Sequence, residues 1–239
     1  IVNRKLFDEA DLSYPTTWEE LREISKKVAK RNGEVMDMIG FDMIDSDALI
    51  CNYLSMILQQ GGQYLQEDNS INFATPEGVK AMEEVLSMVK DGETNLDSLT
   101  SGEYAFNKTY QDKGFMASVG SWGIMVPENS EHKDAAWEFI EFFSRPENLV
   151  KHNIACNQLP PRKSMLTSEE YKEAMPNITF LLDIMEKGQW MGPYNTSAMR
   201  EIFNEMFIEL CQEENPDIEA ALKAASEQIT AECQLGYST

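Results

Sequence analysis

Nucleophilic, acid–base and metal chemistry each need particular side chains at particular spacings, and the chain offers few of them. The two histidines, His132 and His152, belong to no H-E-x-x-H pattern, so neither a zinc pair nor a general base follows from them. Ser130-Glu131-His132-Lys133 has S-x-x-K spacing, but the partner motifs of that acyl-transfer chemistry are absent, and Ser130 stands where a helix N-cap is expected. Gly120-Ser121-Trp122-Gly123 is not a G-x-S-x-G nucleophile elbow, because Val119 occupies the place of the first glycine. Asp45 and Asp47 have the spacing of a calcium-loop fragment without its sixth-position glycine or twelfth-position glutamate. Cys51, Cys156, Cys211 and Cys233 form no C-x-x-C pair and none of the usual zinc spacings. Neither a P-loop nor a dinucleotide fingerprint occurs, so neither metal nor cofactor is expected. Acid–base catalysis by paired carboxylates is open to any sequence with 41 acidic residues, and nothing here prefers one pair.

Ligand binding by aromatic faces is better supported. Trp122 is flanked by small residues that would let its ring lie against a flat ligand. Trp190, Tyr194 and Asn195 occupy a Gly-Pro-punctuated loop just before a predicted helix, a setting that often carries function. Trp18 and Trp137 lie on amphipathic helix patterns and are expected in the core.

These residues must be positioned by a helix-rich scaffold. Thr17-Trp18-Glu19-Glu20 has capping-box spacing and opens a helix to about Arg31, closed by Asn32-Gly33. The apolar run from Met36 to Ile44 predicts a buried strand, and a helix follows from Ala48 to Gln60, ended by Gly61-Gly62. Thr75-Pro76 predicts an N-cap with proline at the first helical position, ahead of a stripe of Val79, Met82, Val85, Leu86 and Val89 that stops at Asp91-Gly92. Residues 114–126 predict a strand and turn. Lys133 to Phe143 predicts a helix with Ala136, Phe139, Ile140 and Phe143 on one side, and a new helix restarts at Ser144-Arg145-Pro146-Glu147. Leu159-Pro160-Pro161-Arg162 reads as a stiff crossover between chain segments. Helices from Ser168 to Met175, Ser197 to Gln212 and Pro216 to about Cys233 complete the chain. Cys211 and Cys233 fall near the far ends of the last two helices, about 20 Å apart if those helices are antiparallel, so reduced thiols are expected.

Composition limits the partners. Of 239 residues 42% are hydrophobic and 26% charged, in the range of folded globular proteins. Twenty Lys and Arg against 41 Asp and Glu leave a formal charge of −21, the wrong sign for nucleic acid or an anionic membrane surface. The longest apolar stretch, Ala48 to Leu58, falls well short of the ~20 residues a membrane span needs. The chain opens on Ile1 with no apolar signal core after it, which reads as part of a longer polypeptide.

Several of these pieces, in this order, resemble the maltose-binding-like family of bacterial extracellular solute-binding proteins that serve ABC sugar importers. Asn3-Arg4-Lys5-Leu6-Phe7-Asp8-Glu9-Ala10 followed by Tyr14-Pro15-Thr16-Thr17-Trp18-Glu19-Glu20-Leu21 resembles the family's N-K-x-L-F and P-x-T-W-x-E-L segment, with Asp11 in place of a glycine. Gln60-Gly61-Gly62, Phe73-Ala74-Thr75-Pro76-Glu77-Gly78, Ala105-Phe106 and Gly120-Ser121-Trp122 are similar to successive landmarks. Asp134-Ala135-Ala136-Trp137-Glu138-Phe139, Leu159-Pro160-Pro161-Arg162 and Ile218-Glu219-Ala220-Ala221-Leu222-Lys223 complete the series. Family members carry a whole lobe ahead of the first segment, and a longer stretch than Met125 to Pro127 before the A-A-W-E-F helix.

The resemblance implies an α/β periplasmic-binding-protein-like fold of type II, two lobes with a hinge, mostly the C-terminal lobe with part of the N-terminal one. Residues 1–125 would be the first segment of the C-terminal lobe, 126–158 a segment of the incomplete N-terminal lobe, and 159–239 the crossover and closing helices. It also implies a non-enzymatic, monomeric binder of a carbohydrate, delivering it to the importer's transmembrane subunits from a cell-surface lipoprotein or periplasmic location. By the same resemblance Trp122 would face the sugar, Asn52 and Tyr53 would be ligand-facing ahead of Gly61-Gly62, and Arg200 would stand near an aromatic stacker's position. Stacking would then pass to Trp190 or Tyr194, with the Arg200 guanidinium bonding hydroxyls or a ligand carboxylate, which admits acidic sugars. Two other classes stay open: a glycoside-processing enzyme, separable by incubation with oligosaccharides, and a helix-rich interaction scaffold, which would not respond to sugars.

Overall fold

In the computed structural model the described residues are 2–32, 35–101, 111, 114–117, 126, 129–156, 158, 162, 165, 168–176, 189 and 191–235. The chain forms two compact units, one of Ile1–Gly120 with Met191–Thr239 and one of Ser121–Trp190.

The first unit opens with α1 (Arg4–Glu9) and α2 (Trp18–Val28). Thr17 Oγ1 accepts from the Glu20 N–H at 3.1 Å, as the capping box requires, but Glu20 reaches one residue further back than expected, to the Thr16 N–H at 2.7 Å and the Thr16 hydroxyl at 2.8 Å. The helix ends three residues before the predicted Arg31, because Lys30–Asn32 extend as β1 and pair antiparallel with β2 (Val35–Asp42), Asn32 opposite Val35. On its other side β2 runs parallel to β3 (Gly114–Ala117), Phe41 opposite Met116. Helix α3 (Ala48–Gln59) follows β2 and stops at Gly61, whose φ of +82° is the left-handed conformation that glycine adopts without strain.

Thr75 caps α4 (Pro76–Lys90), its hydroxyl accepting from the Gly78 N–H at 3.0 Å, and a short α5 (Asp97–Ser101) follows. In the closing part, α9 (Thr196–Gln212) and α10 (Ile218–Cys233) pack on each other, and both touch α4. The core runs through all of these, from Phe7 and Ile44 to Leu54, Phe73, Val85, Phe203 and Ile229. The four cysteines are free.

Helix α2 lies against β2 so closely that a Cβ on Gly40 would stand 2.4 Å from Ser25 Cα and 2.5 Å from Ser25 O. Backbone cannot yield there as a side chain can. Gly40→Ala is therefore expected to cost about 1–3 kcal/mol of unfolding free energy, read from urea denaturation. A cost near zero would mean that the helix sits further from the strand.

The second unit holds α6 (Lys133–Phe143), α7 (Pro146–Cys156) and α8 (Glu169–Ala174). Its core is small: Leu149, Val150, Met165 and Tyr171. The Tyr171 hydroxyl donates to Gln158 O, and Arg162 Nη1 donates to Ser144 O at 2.7 Å. Arg162 is thereby tied to the end of α6, and the Gln158 N–H, donating to Asn153 O at 2.8 Å, ties Gln158 to α7, all within the unit of Ser121–Trp190. The core placement expected for Trp137 is corrected: it is 57% exposed, as Phe139 is at 55%, while Phe143 of the same helix packs against the small core. Trp18 is likewise exposed, its indole N–H donating to Gln59 Oε1 at 2.8 Å. Ser130 does not cap α6; His132 is at the N-cap, and Ser130 Oγ accepts from its N–H at 3.3 Å. The predicted crossover at 159–161 and the turn at 118–125 lie outside the described residues.

Candidate functional site

Strand β2 ends in a short acidic loop, residues 42–47, before α3 begins. Asp42 is buried and anchors the strand exit: its carboxylate accepts from the Ser98 hydroxyl at 3.0 Å, the Thr94 hydroxyl at 3.3 Å and the Ile44 N–H at 3.3 Å. Asp45, also buried, takes over the capping of α3, Oδ1 accepting from the Asp47 N–H at 2.9 Å and the Ala48 N–H at 2.6 Å. Asp47 occupies the N-cap position itself but makes no capping bond with its side chain. Its carboxylate turns instead toward Arg200, Oδ1 to Nη1 at 3.4 Å.

Arg200 and Asn204 come from α9. Asn195 fixes the start of that helix, Oδ1 accepting from the Ser197 N–H at 3.2 Å and the Ala198 N–H at 3.4 Å. One turn separates Arg200 from Asn204, so both lie on one face of the helix. Asn204 Nδ2 donates to Ser46 O at 3.0 Å, and Asn52 Nδ2, from α3, donates to Met43 O at 3.0 Å. Two side chains from different helices thus hold the loop from opposite ends. Arg200 Nε and Asn204 Oδ1 are buried without a hydrogen-bond partner among the described residues. Cys51 lies beside the pair, its thiol donating to Asp47 O at 3.6 Å; burial pushes that thiol up while the Arg200 guanidinium pulls the other way.

The arrangement presents hydrogen-bond donors and acceptors at the carboxyl end of a strand and the start of two helices, where open α/β sheets commonly take ligands. Among the described residues no group of three His, Cys, Asp or Glu could hold a metal ion, and no helix is long and apolar enough to cross a membrane. An open depression of about 330 Å³ lies elsewhere in the unit, lined among the described residues by Gln60, Pro76, Glu77 and Lys80.

Of the residues named from sequence, the structure brings Asn52 and Arg200 together around this loop. Trp122 and Trp190 lie outside the described residues. Tyr53 is corrected to the core: it is fully buried, its ring 4.9 Å from Phe203 and 5.7 Å from Phe73, with its hydroxyl against Gly78 O at 3.2 Å and its ionisation pushed up by burial. Tyr194 is corrected as well, being buried with its hydroxyl donating to Asn69 O, which fastens the start of α9 to the loop around Asn69. Asn195 serves as a helix cap and receives no ligand-facing role from the structure. Sequence reasoning missed Asn204 and weighed Asp45 and Asp47 only as a calcium loop. The i, i+4 spacing of Arg200 and Asn204 and the placement of two aspartates just ahead of an apolar helix were the available signals.

A family model of bacterial extracellular solute-binding proteins matches residues 1–149. The arabinooligosaccharide-binding protein of Halalkalibacterium halodurans is 22% identical over 290 residues, covering 97% of this chain and 63% of that protein. The chain thus spans less than two thirds of that curated relative. Among solved structures, the maltose-bound MalE3 of T. maritima matches with a TM-score of 0.71 at 17% identity, over 95% of this chain and 68% of that one. An ABC-transporter solute-binding protein of Thermotoga lettingae bound with α-D-tagatose matches with a TM-score of 0.74 at 18% identity, over 96% and 68%.

Proposed function

Because the chain belongs to the family of bacterial extracellular solute-binding proteins and has their type II periplasmic-binding-protein fold, we propose that it binds a carbohydrate and hands it to an ABC importer. The observation that carries this reading is the family match over residues 1–149, which includes the Asp45–Asp47 loop and Asn52. Oligosaccharide and sugar ligands of the relatives point the same way. Asn52, Asp47, Arg200 and Asn204 supply the polar groups of the first unit that bond sugar hydroxyls, and Trp122 and Trp190 stay stacking candidates on the sequence resemblance alone. No bond is made or broken: the sugar is held, then released to the importer's transmembrane subunits. The protein works outside the cytoplasmic membrane as a monomer, and its first unit belongs to the C-terminal lobe of the fold, the second to the other lobe.

A thermal-shift series with pentose and hexose oligosaccharides tests this. A ligand that binds only the folded state adds about 2.7 kcal/mol at a hundred times its Kd, so at least one neutral sugar should raise Tm by several degrees. No rise with any carbohydrate would contradict the proposal. Conversion of the sugar to products would replace it with an enzymatic one.

A further inference from the structure

We propose that Arg200 and Asn204 form a specificity-determining pair for one neutral ligand hydroxyl, and that Asp47 turns carboxylated sugars away from it; this rests on the carbohydrate-binding reading above. Arg200 Nε carries an N–H donor and Asn204 Oδ1 is an acceptor; one helical turn apart, both atoms are buried without a hydrogen-bond partner among the described residues, although the Arg200 guanidinium also meets the Cys51 thiol. The Asn204 amide is oriented by its own bond, Nδ2 to Ser46 O at 3.0 Å, so the oxygen is the atom left to a ligand. A hydroxyl can both accept from a guanidinium N–H and donate to an amide oxygen, whereas an ionised carboxylate only accepts and leaves Oδ1 unpaired.

Charge works in the same direction. The Arg200 guanidinium is already faced by Asp47 at 3.4 Å, and the buried Asp45 holds the Asp47 and Ala48 N–H groups just behind. One positive and two negative side chains leave the cluster net negative, so a ligand carboxylate would meet like charge. The Asp47–Arg200 contact is longer than the ~2.7–2.9 Å of a tight charge-assisted bond, and the two side chains are 36% and 29% exposed. It is a contact that a ligand hydroxyl can displace.

The test is titration calorimetry with matched neutral and uronic-acid oligosaccharides on the parent protein, Asn204→Leu and Asp47→Asn. The parent should prefer the neutral sugar, Asn204→Leu should lose about tenfold of that preference, and Asp47→Asn should raise uronate affinity about tenfold relative to neutral. Selectivity, not affinity alone, is the readout, since a merely structural effect lowers both ligands together. If Asn204→Leu fails to fold, the Asp47→Asn ratio decides alone. Neutral sugars bound with unchanged selectivity in the variants, or a parent that prefers uronates, would overturn the pair and leave carbohydrate binding standing. A parent that binds no carbohydrate would overturn both.

Discussion

Replacing Phe203 by alanine lowers the unfolding free energy by about 3–5 kcal/mol, the range for deleting a fully buried phenylalanine. Its ring is fully buried, 4.9 Å from Tyr53 and 5.7 Å edge-on from Phe73, so it joins α9 to α3 and to the segment that leads into α4. Tyr53 cannot collapse into the cavity without giving up its hydroxyl contacts with Phe73 O and Gly78 O. Arg200 is one turn earlier on α9, so the same substitution should loosen its contact with Asp47 and weaken ligand binding along with stability. Urea denaturation followed by circular dichroism gives the first quantity and calorimetry the second. Phe203→Leu should recover most of both, and a loss under about 1 kcal/mol for alanine would mean that α9 is seated elsewhere.

Arg22→Ala should cost a comparable amount, about 3 kcal/mol at neutral pH, by leaving a buried carboxylate poorly paired. Glu93 is 1% exposed, and Arg22 reaches its Oε1 with Nη2 at 2.6 Å and Nε at 3.0 Å while also meeting Glu84 and Asp91. Among the described residues only Lys26, at 3.8 Å, would remain as a cation beside Oε1, and Oε2 already has no partner. Burial pushes the Glu93 carboxyl above its ordinary 4.5, with Arg22 the largest opposing influence. Removing Arg22 raises it further. An acid whose folded-state pKa is raised binds more protons folded than unfolded, so its protonation adds stability below the unfolded value, and that stability is lost as pH rises through the folded one. The Arg22→Ala deficit should therefore shrink as pH falls from neutrality toward 4.5, and Glu93→Gln in the same background should relieve much of it. A deficit independent of pH would place the cost in lost packing.

What the sequence made legible was mostly local. Thr75 and Pro76 announce α4 because a cap and its helix share a few residues, and Gly61 ends α3 where the left-handed turn was expected. Partnership across the chain was harder. The stripe on α6 correctly marked an apolar face, but periodicity says only that such a face exists, not that a neighbour covers it, and Trp137 and Phe139 are exposed. Asn52 and Tyr53 are adjacent on α3 and so point about 100° apart, one toward the exit of β2 and the other into the aromatic core. Reading both as ligand-facing ignored that rotation. Asp45 and Asp47 looked like a failed metal loop, when one caps a helix and the other faces an arginine far along the chain. A long-range pair of this kind has no local spacing to betray it.

The central claim is that a sugar is held around the 43–47 loop by α3 and α9, and side-chain NMR tests it most directly. Adding a neutral oligosaccharide identified by thermal shift should move the Arg200 Nε–H and the Asn204 and Asn52 side-chain amide signals in step with binding, while the Gln228 amide on α10 stays in place. Saturable binding with those three signals unmoved would contradict the account.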